Sequence, residues 1–519
     1  MRWVKNNKSV IILAVLFLFI AIPRSIFPDL DHADEYSDAN VLNAGENFAR
    51  FGFIRCRFLP LFEPNLDAPE KLYTHYPPLG DIFNGVLRII FKTDSLYLFR
   101  RVSLFFSLFT LLFWYLFIKE FSRSGFISFL AAIFYLTNPL FIYGVDSLGI
   151  GYTEFLRSTI FLSFIKMVNS SGRRKKIFLL ILWASIVLET LFTFDYIIYL
   201  SLFFILFKIL FRKSKEELSL KIIFLLLLAP IVGFLIHFLQ NVWYFQGFSA
   251  ALQDMKNIAI ERVVQSKDSA MVLNFPVWWK YVFTMNFWLI FLFDYLILIP
   301  FALFSGFLYR YLSPKAKNEM KPALYLCVVF AICGITWYIV FSSHSFAHTF
   351  LTFLARHLLP LAAVTFALFC YIILSFAREN NPRNLFGRIP LVLIIIIIVF
   401  TGIRKSSLPI MPENIRQAKD FLVFKKCLLN LKAQSNKKDE VGVNYFRYPF
   451  IRYYTNRRCI VLFDKASLEK LPALPPYFIF MPYNNPSAFE LFQFLNQKYE
   501  VLSQCTSSRF PVVIFRLKK

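Results

Sequence analysis

The feature that most constrains this chain is a series of apolar runs, each close to the length that crosses a bilayer. A hydrocarbon core of about 30 Å takes roughly 20 apolar residues as a helix. Runs of that kind occur near 9–27, 96–118, 125–143, 153–169, 177–193, 195–211, 220–242, 286–309, 323–341, 353–377 and 389–404. They predict a mainly α, polytopic membrane protein with about eleven transmembrane helices. The apolar fraction agrees: 57% of residues, with 66 Phe, against roughly 45–50% in soluble domains.

The formal charge of +25 would suit a nucleic-acid partner, but its distribution excludes one. The excess Lys and Arg sit in short loops between apolar runs. With the N-terminus inside, successive inner loops hold Lys119 and Arg123, then Arg173, Arg174, Lys175 and Lys176, then Arg212, Lys213 and Lys215. The later ones hold Lys315, Lys317 and Lys321, then Arg378, Arg383 and Arg388. Every inner loop is basic, as the positive-inside rule requires. An odd number of spans then places the C-terminus outside the cytoplasmic (inner) membrane. The basic start at Arg2, Lys5 and Lys8 and the apolar stretch to Ile22 have no small-residue cleavage site after them, so the first run reads as an uncleaved span.

The outer loops differ in kind. The first, about 28–95, is long and carries eleven carboxylates. Within it Val41, Ala44, Phe48 and Phe51 recur at helical spacing opposite Asn40, Asn43, Glu46, Asn47 and Arg50. A second stretch sets Ile82, Phe83, Val86, Leu87, Ile89 and Ile90 against Asp81, Asn84 and Arg88. Both are too short to span and strongly one-sided, so they are expected to lie in the membrane interface. The loop near 243–285 is expected to hold another such helix, with Trp278 and Trp279 in the aromatic belt. Residues 1–404 thus form the membrane domain. Residues 405–519 form a small extracytoplasmic α/β domain, with a polar helix at Pro412–Gln434 and strands at Val441–Tyr445, Cys459–Phe463, Tyr477–Met481 and Val512–Leu517. A helix over Ser487–Lys498 precedes the last strand, and no phosphate-binding glycine loop occurs. The seven cysteines include no CxxC pair, so neither a zinc nor a thioredoxin-type motif is supported. Cys459 and Cys505 fall in the outer tail, where they are the candidates for a disulfide.

Chemistry concentrates at a few places. Asp31-His32-Ala33-Asp34-Glu35-Tyr36 lies just beyond the first span. Adjacent carboxylates there serve as a base for a hydroxyl nucleophile or as a cation site; a solvated acidic loop is the plain alternative. In Tyr73-Thr74-His75-Tyr76-Pro77-Pro78-Leu79 two prolines make a rigid helix entry, which holds His75 and Tyr76 next to the membrane surface. Asp146 and Glu154 flank Gly149 and Gly151 in the second outer loop. His344 and His348 stand at i and i+4 near Arg356 and His357. An arginine inside the membrane boundary is costly unless paired; a lipid phosphate suits its bidentate fork, and snorkelling to the surface is the alternative. Glu189, Asp195, His237, Gln240 and Asn241 also fall near outer helix ends. Polar groups gathered at one surface, rather than at the midplane, favour an enzyme over a transporter.

An outward Asp-Glu after the first span, two interfacial helices and a Pro-Pro-Leu motif between them resemble the GT-C membrane glycosyltransferases. The branch of aminoarabinose transferases and protein O-mannosyltransferases is the most similar. The resemblance implies transfer of a sugar from a polyprenyl-phosphate donor with inversion at the anomeric carbon, in the outer face of the membrane. It covers residues 9–170 well and the remaining spans only in arrangement. Carried over, Asp34 is the general base and Glu35 its neighbour. The family often has Lys before the prolines, where this chain has His75-Tyr76. The family also places an acid of the second outer loop near the first-loop acid, for which Glu154 is chosen over Asp146. Arg356 and Pro360 fit the family's Arg-x-x-x-Pro pattern, with Arg356 on the phosphate aided by His75, His344 or His348. A divalent metal, if bound, would draw on Asp34, Glu154 and His348. The acceptor, a glycan, lipid or protein, is not fixed by the sequence. A lipid-linked-sugar flippase or exporter and a non-enzymatic envelope scaffold are the competing readings.

Overall fold

In the computed structural model the described residues are 8–26, 35–64, 67–69, 71–211, 218–263, 298–340, 359–380, 412–445, 448–482, 486–506 and 511–518. The membrane part is a helix bundle: α1 (Lys8–Ile26), α2 (Glu35–Phe51), α3 (Leu79–Phe91), α4 (Leu96–Ser122), α5 (Gly125–Leu136), α6 (Pro139–Gly144), α7 (Ile150–Val168) and α8 (Gly172–Phe192). It continues as α9 (Tyr196–Leu210), α10 (Leu220–Phe245), α11 (Phe248–Val263), α12 (Leu298–Arg310), α13 (Pro314–Val340) and α14 (Leu359–Asn380). Lys8–Ser25, Leu96–Ser122, Leu220–Phe245, Pro314–Trp337 and Leu359–Glu379 are long and apolar enough to cross a membrane, and α5 and α9 are shorter apolar helices. Each apolar run that falls on described residues is helical. The run near 125–143 is two helices, because Pro139 lacks the N–H that would continue α5. The run near 389–404 and the first half of that near 286–309 lie outside the described residues.

The bundle core is built largely of stacked and edge-on aromatic rings, with Trp114, Phe117, Phe161, Phe164 and Phe203 buried. Outward-facing positions are apolar too: Phe19 on α1, Leu180 on α8, and Phe224 and Leu239 on α10 are each more than 60% exposed. An apolar side chain left open on a helix all round is the signature of lipid as solvent.

The short helices α2 and α3 lie across one end of the bundle. Their polar faces are turned into the protein: Asp38, Asn43 and Asn47 on α2 are buried, as are Asp81, Asn84 and Arg88 on α3. The open face of α3 carries Ile89, Ile90 and Phe91. Two glycines let α2 and α3 touch. A Cβ at Gly85 would stand 2.8 Å from the Cβ of Phe48, and one at Gly45 would stand 2.7 Å from Oδ1 of Asn84. Gly85→Val is therefore expected to lower the unfolding free energy in detergent by about 1–3 kcal/mol, the cost of overpacking. Gly149→Ala, whose Cβ meets nothing within 4 Å, is the control; denaturation followed by Trp fluorescence reads both.

The C-terminal part starts with α15 (Pro412–Gln434) and alternates β1 (Glu440–Val443), α16 (Tyr448–Thr455), β2 (Arg458–Val461), α17 (Lys465–Glu469) and β3 (Tyr477–Phe480). It ends with α18 (Pro486–Lys498), β4 (Tyr499–Thr506) and β5 (Pro511–Leu517). The five strands are ordered β2-β1-β3-β5-β4, with β1 parallel to β2 and β3, and β5 antiparallel to β3 and β4. Apolar clusters cover both faces of the sheet. The disulfide joins Cys427 to Cys505, and Cys459 is a buried free thiol. The pairing of Cys459 with Cys505 fails on topology. β2 and β4 are opposite edges of the sheet, four strand spacings or roughly 19 Å apart, well beyond a disulfide's reach. Cys427 reaches Cys505 instead because α15 packs along β4.

The sheet domain and the first loop meet on one side of the bundle. The hydroxyls of Tyr36 on α2 and Tyr448 on α16 are hydrogen-bonded at 2.8 Å, and Asn43 donates to the carbonyl of Pro449.

Candidate functional site

Buried charge gathers at the end of the bundle that α2, α3 and the sheet domain cover. The first group ties the loops together. Asp38, one turn into α2, accepts hydrogen bonds from Oγ of Ser147 (2.9 Å), the amide of Leu148 (2.8 Å) and the guanidinium of Arg100 at the start of α4 (3.2 Å). Arg100 also donates to the carbonyl of Asp146 at 3.1 Å and lies 3.7 Å from its carboxylate. Arg24, at the end of α1, is 3.7 Å from the other carboxylate oxygen of Asp146 and donates to the carbonyl of Ile142. All four side chains are almost fully buried. Among the described residues two cations face two anions, and such pairing is what makes buried charge tolerable.

The backbone around Asp146 is held with similar care. Ser103 and Ser107, a turn apart on α4, donate to the carbonyls of Ser147 (2.7 Å) and Val145 (2.6 Å). This contact brings the start of α7 so close that a Cβ at Gly151 would stand 2.1 Å from Oγ of Ser103. Gly151 is glycine for that reason.

A second group lies on α7, α8 and α9. Arg157 donates to Glu189 at 3.0 Å and lies 3.5 Å from Glu154 and 3.8 Å from Asp195. Its guanidinium stacks 4.0 Å from the ring centre of Tyr196. Tyr135 donates to Glu154, and Trp337 of α13 donates to the carbonyl of Asp195. Among the described residues three carboxyl groups gather around this one guanidinium. The other end of the same helices is plainer, with the pair Lys166–Glu120 and the basic residues of the loops.

The Pro-Pro entry to α3 is pinned from α10. The carbonyl of Thr74 lies 3.0 Å from Nε2 of His237 and accepts from Asn241 at 3.3 Å. His237 and Asn241 thus hold the backbone on which His75 and Tyr76 sit. His75 is about 40% exposed beside Asp254 of α11, and Tyr76 is exposed.

Sequence-derived candidates are distributed unevenly over this geometry. Asp34, His344, His348 and Arg356 lie outside the described residues, and Glu35 opens α2. Of the two acids of the second outer loop, Asp146 is the one that Arg100 joins to α2, while Glu154 belongs to the Arg157 group. Asp38, Arg24 and Arg100 are not singled out by the sequence, although both arginines stand at ends of apolar runs that the expected topology places outside, where the positive-inside rule does not put them. Among the described residues there is no cluster of three metal-type ligands. The oxygens of Glu154 are engaged by Tyr135 and Arg157.

On α3, burial pushes the Asp81 carboxyl from its ordinary 3.8 up to about 7. The folded chain then keeps a proton that the unfolded chain releases. The contribution of Asp81 to stability is full below about pH 4 and is lost as pH rises through about 7. Stability should fall across that window with a slope of up to about 1.4 kcal/mol per pH unit. Asp81→Asn should flatten the profile, which thermal melts in detergent between pH 4 and 8 would show.

No family model matches the sequence, and no curated protein is similar to it. Solved structures are similar in fold. ArnT from Cupriavidus metallidurans, solved bound to undecaprenyl phosphate, superposes with a TM-score of 0.60 at 10% identity, covering 98% of each chain. The archaeal oligosaccharyltransferase AglB from Archaeoglobus fulgidus, solved with an inhibitory peptide and a dolichol-phosphate, gives 0.54 at 14% identity, covering 92% of this chain and 70% of its own. The fold shared with these two structures is the one that the resemblance carried by the Asp-Glu and Pro-Pro-Leu motifs implied. It is a multi-pass membrane protein with a small C-terminal sheet domain.

Proposed function

We propose that the protein moves a sugar from a polyprenyl-phosphate donor to an acceptor at the outer face of the cytoplasmic membrane, inverting the anomeric carbon. The reading is carried by one observation: a fold shared over nearly the whole length with a structure that holds undecaprenyl phosphate. The gathering of buried charge at one roofed end of the bundle supports it. In this reading the prenyl chain enters between helices from the lipid, and Arg356 holds the phosphate with help from His75, His344 or His348. Asp34 accepts the proton of an acceptor hydroxyl, with Glu35 and Tyr76 beside it. The hydroxyl oxygen forms a bond to the anomeric carbon as the bond to the phosphate oxygen breaks. Fixed cations stabilise the charge that grows on the leaving phosphate without having to reorganise. The Arg24–Asp146–Arg100–Asp38 group is the frame that fixes α2 against the second outer loop, and the carboxyl groups around Arg157 belong to the same end.

Mass spectrometry of lipids co-purifying with the protein is the direct test. A polyprenyl-phosphate sugar, consumed when acceptor is added, is the expected result. Movement of labelled lipid-linked sugar across vesicles with no transfer would replace the reading by a flippase or exporter. Neither transfer nor movement would leave an envelope scaffold.

A further inference from the structure

A cleft of about 280 Å³ opens between the first outer loop and the C-terminal domain, lined by Phe62, Glu63, Lys71, Tyr73, Tyr448, Arg452 and Arg458, with Leu72 behind them. Two chain segments nearly 400 residues apart meet there: Arg452 of α16 donates to Glu63 of the loop, a pair that is largely buried. Binding pockets usually measure about 300–1,000 Å³, so this one has room for a single ring-sized unit.

Its chemistry is specific. The rings of Phe62 and Tyr73 lie 5.0 Å apart, and Arg452 stacks 4.5 Å from the ring of Tyr448. Aromatic faces of this kind pack on the C–H face of a sugar. Among the described residues Lys71, Arg452 and Arg458 line the cleft; Arg452 pairs with Glu63 and Arg458 with Glu440 at 3.2 Å, which leaves Lys71 as the cation in excess. The surplus charge favours an anionic substituent.

We infer that this cleft is a binding subsite for one acidic sugar unit, carrying a carboxylate or phosphate, of the acceptor glycan. Only its assignment to the acceptor rests on the transferase reading; the cleft's chemistry stands apart from it. The test uses the full-length protein in nanodiscs and titrates a panel of soluble uronate, sialate and sugar-phosphate oligosaccharides with their neutral counterparts. At least one acidic member should bind at millimolar Kd or better and outbind its neutral counterpart. Lys71→Glu, at an exposed position that leaves the fold alone, and Tyr73→Leu should each weaken binding at least tenfold. No binding by any member, no preference for the acidic forms, or equal binding by both variants overturns the subsite. Consumption of a polyprenyl-phosphate sugar by the same preparations separates the two ideas. Transfer without glycan binding sinks the cleft alone, and glycan binding that responds to both substitutions without transfer sinks the transferase reading alone.

Discussion

Replacing Arg100 by alanine is expected to cost about 3–5 kcal/mol of stability, the penalty for leaving buried charges without their partner. Arg100 holds Asp38 of α2 and both the carbonyl and carboxylate of Asp146. With the guanidinium gone, the two buried carboxylates lose the cation they share, and Arg24 still faces Asp146. The loss should appear as a fall in the denaturation midpoint and as release of α2 from the second outer loop, seen as faster hydrogen exchange over 35–51. Arg100→Lys should recover little, since a point charge cannot serve two acceptors as a planar fork does. Asp38→Asn should cost less than Arg100→Ala, because an amide oxygen still accepts from Ser147 and Leu148. The Asp38→Ala and Arg100→Ala effects should also be strongly non-additive, as for residues in one network. A stability change under about 0.5 kcal/mol, the range of an inert surface substitution, would remove this group from its role as the frame of the site.

How these elements were legible is instructive in physical terms. The bundle helices could be located because lipid imposes one rule on every residue of a span, and α15 was located at Pro412–Gln434 to the residue. The polar row of α3 looked like a surface because periodicity separates polar from apolar residues without saying which side the protein occupies. In lipid the assignment inverts, and Asp81, Asn84 and Arg88 point inward. Asp38 was lost in the same way, as one more charge on a loop rich in them. The signal that would have found it was Arg24 and Arg100, two cations at outer helix ends. An arginine at such a depth requires a buried anion, and only a few acids in the two outer loops could supply one.

The C-terminal domain failed differently. Its strands were found by their apolar runs, with ends a residue or two off. β4 was missed because Tyr499 follows Lys498 of α18 with no turn residue between, and because a register shift between Val501 and Ser503 breaks its alternation. Without β4 the sheet order could not be drawn, and without the order Cys459 and Cys505 looked like possible neighbours. The thiol of Cys459 is in fact buried, with its pKa pushed up to about 12 by that burial.

Asp34→Asn is expected to abolish transfer while leaving the fold intact, and it is the substitution on which the catalytic proposal depends most. A hydroxyl attacks poorly until a positioned base accepts its proton, and removing such a base typically costs 10²–10⁴-fold in rate. Asp34 immediately precedes Glu35, the first residue of α2, and α2 is anchored one turn later through Asp38. Asn serves as well as Asp in front of a helix, so the variant should keep the wild-type melting temperature. It should also bind the polyprenyl-phosphate sugar as before, because the phosphate is assigned to Arg356. The loss should thus fall on kcat and not on donor affinity, as when an interaction made only in the transition state is removed. Comparison with Asp146→Asn sharpens the result: that change strikes the frame, so it should lower stability and activity together. If Asp34→Asn retains full transfer, the base is elsewhere and the first-loop acid is only surface charge. If it loses donor binding along with rate, Asp34 positions the donor instead of activating the acceptor.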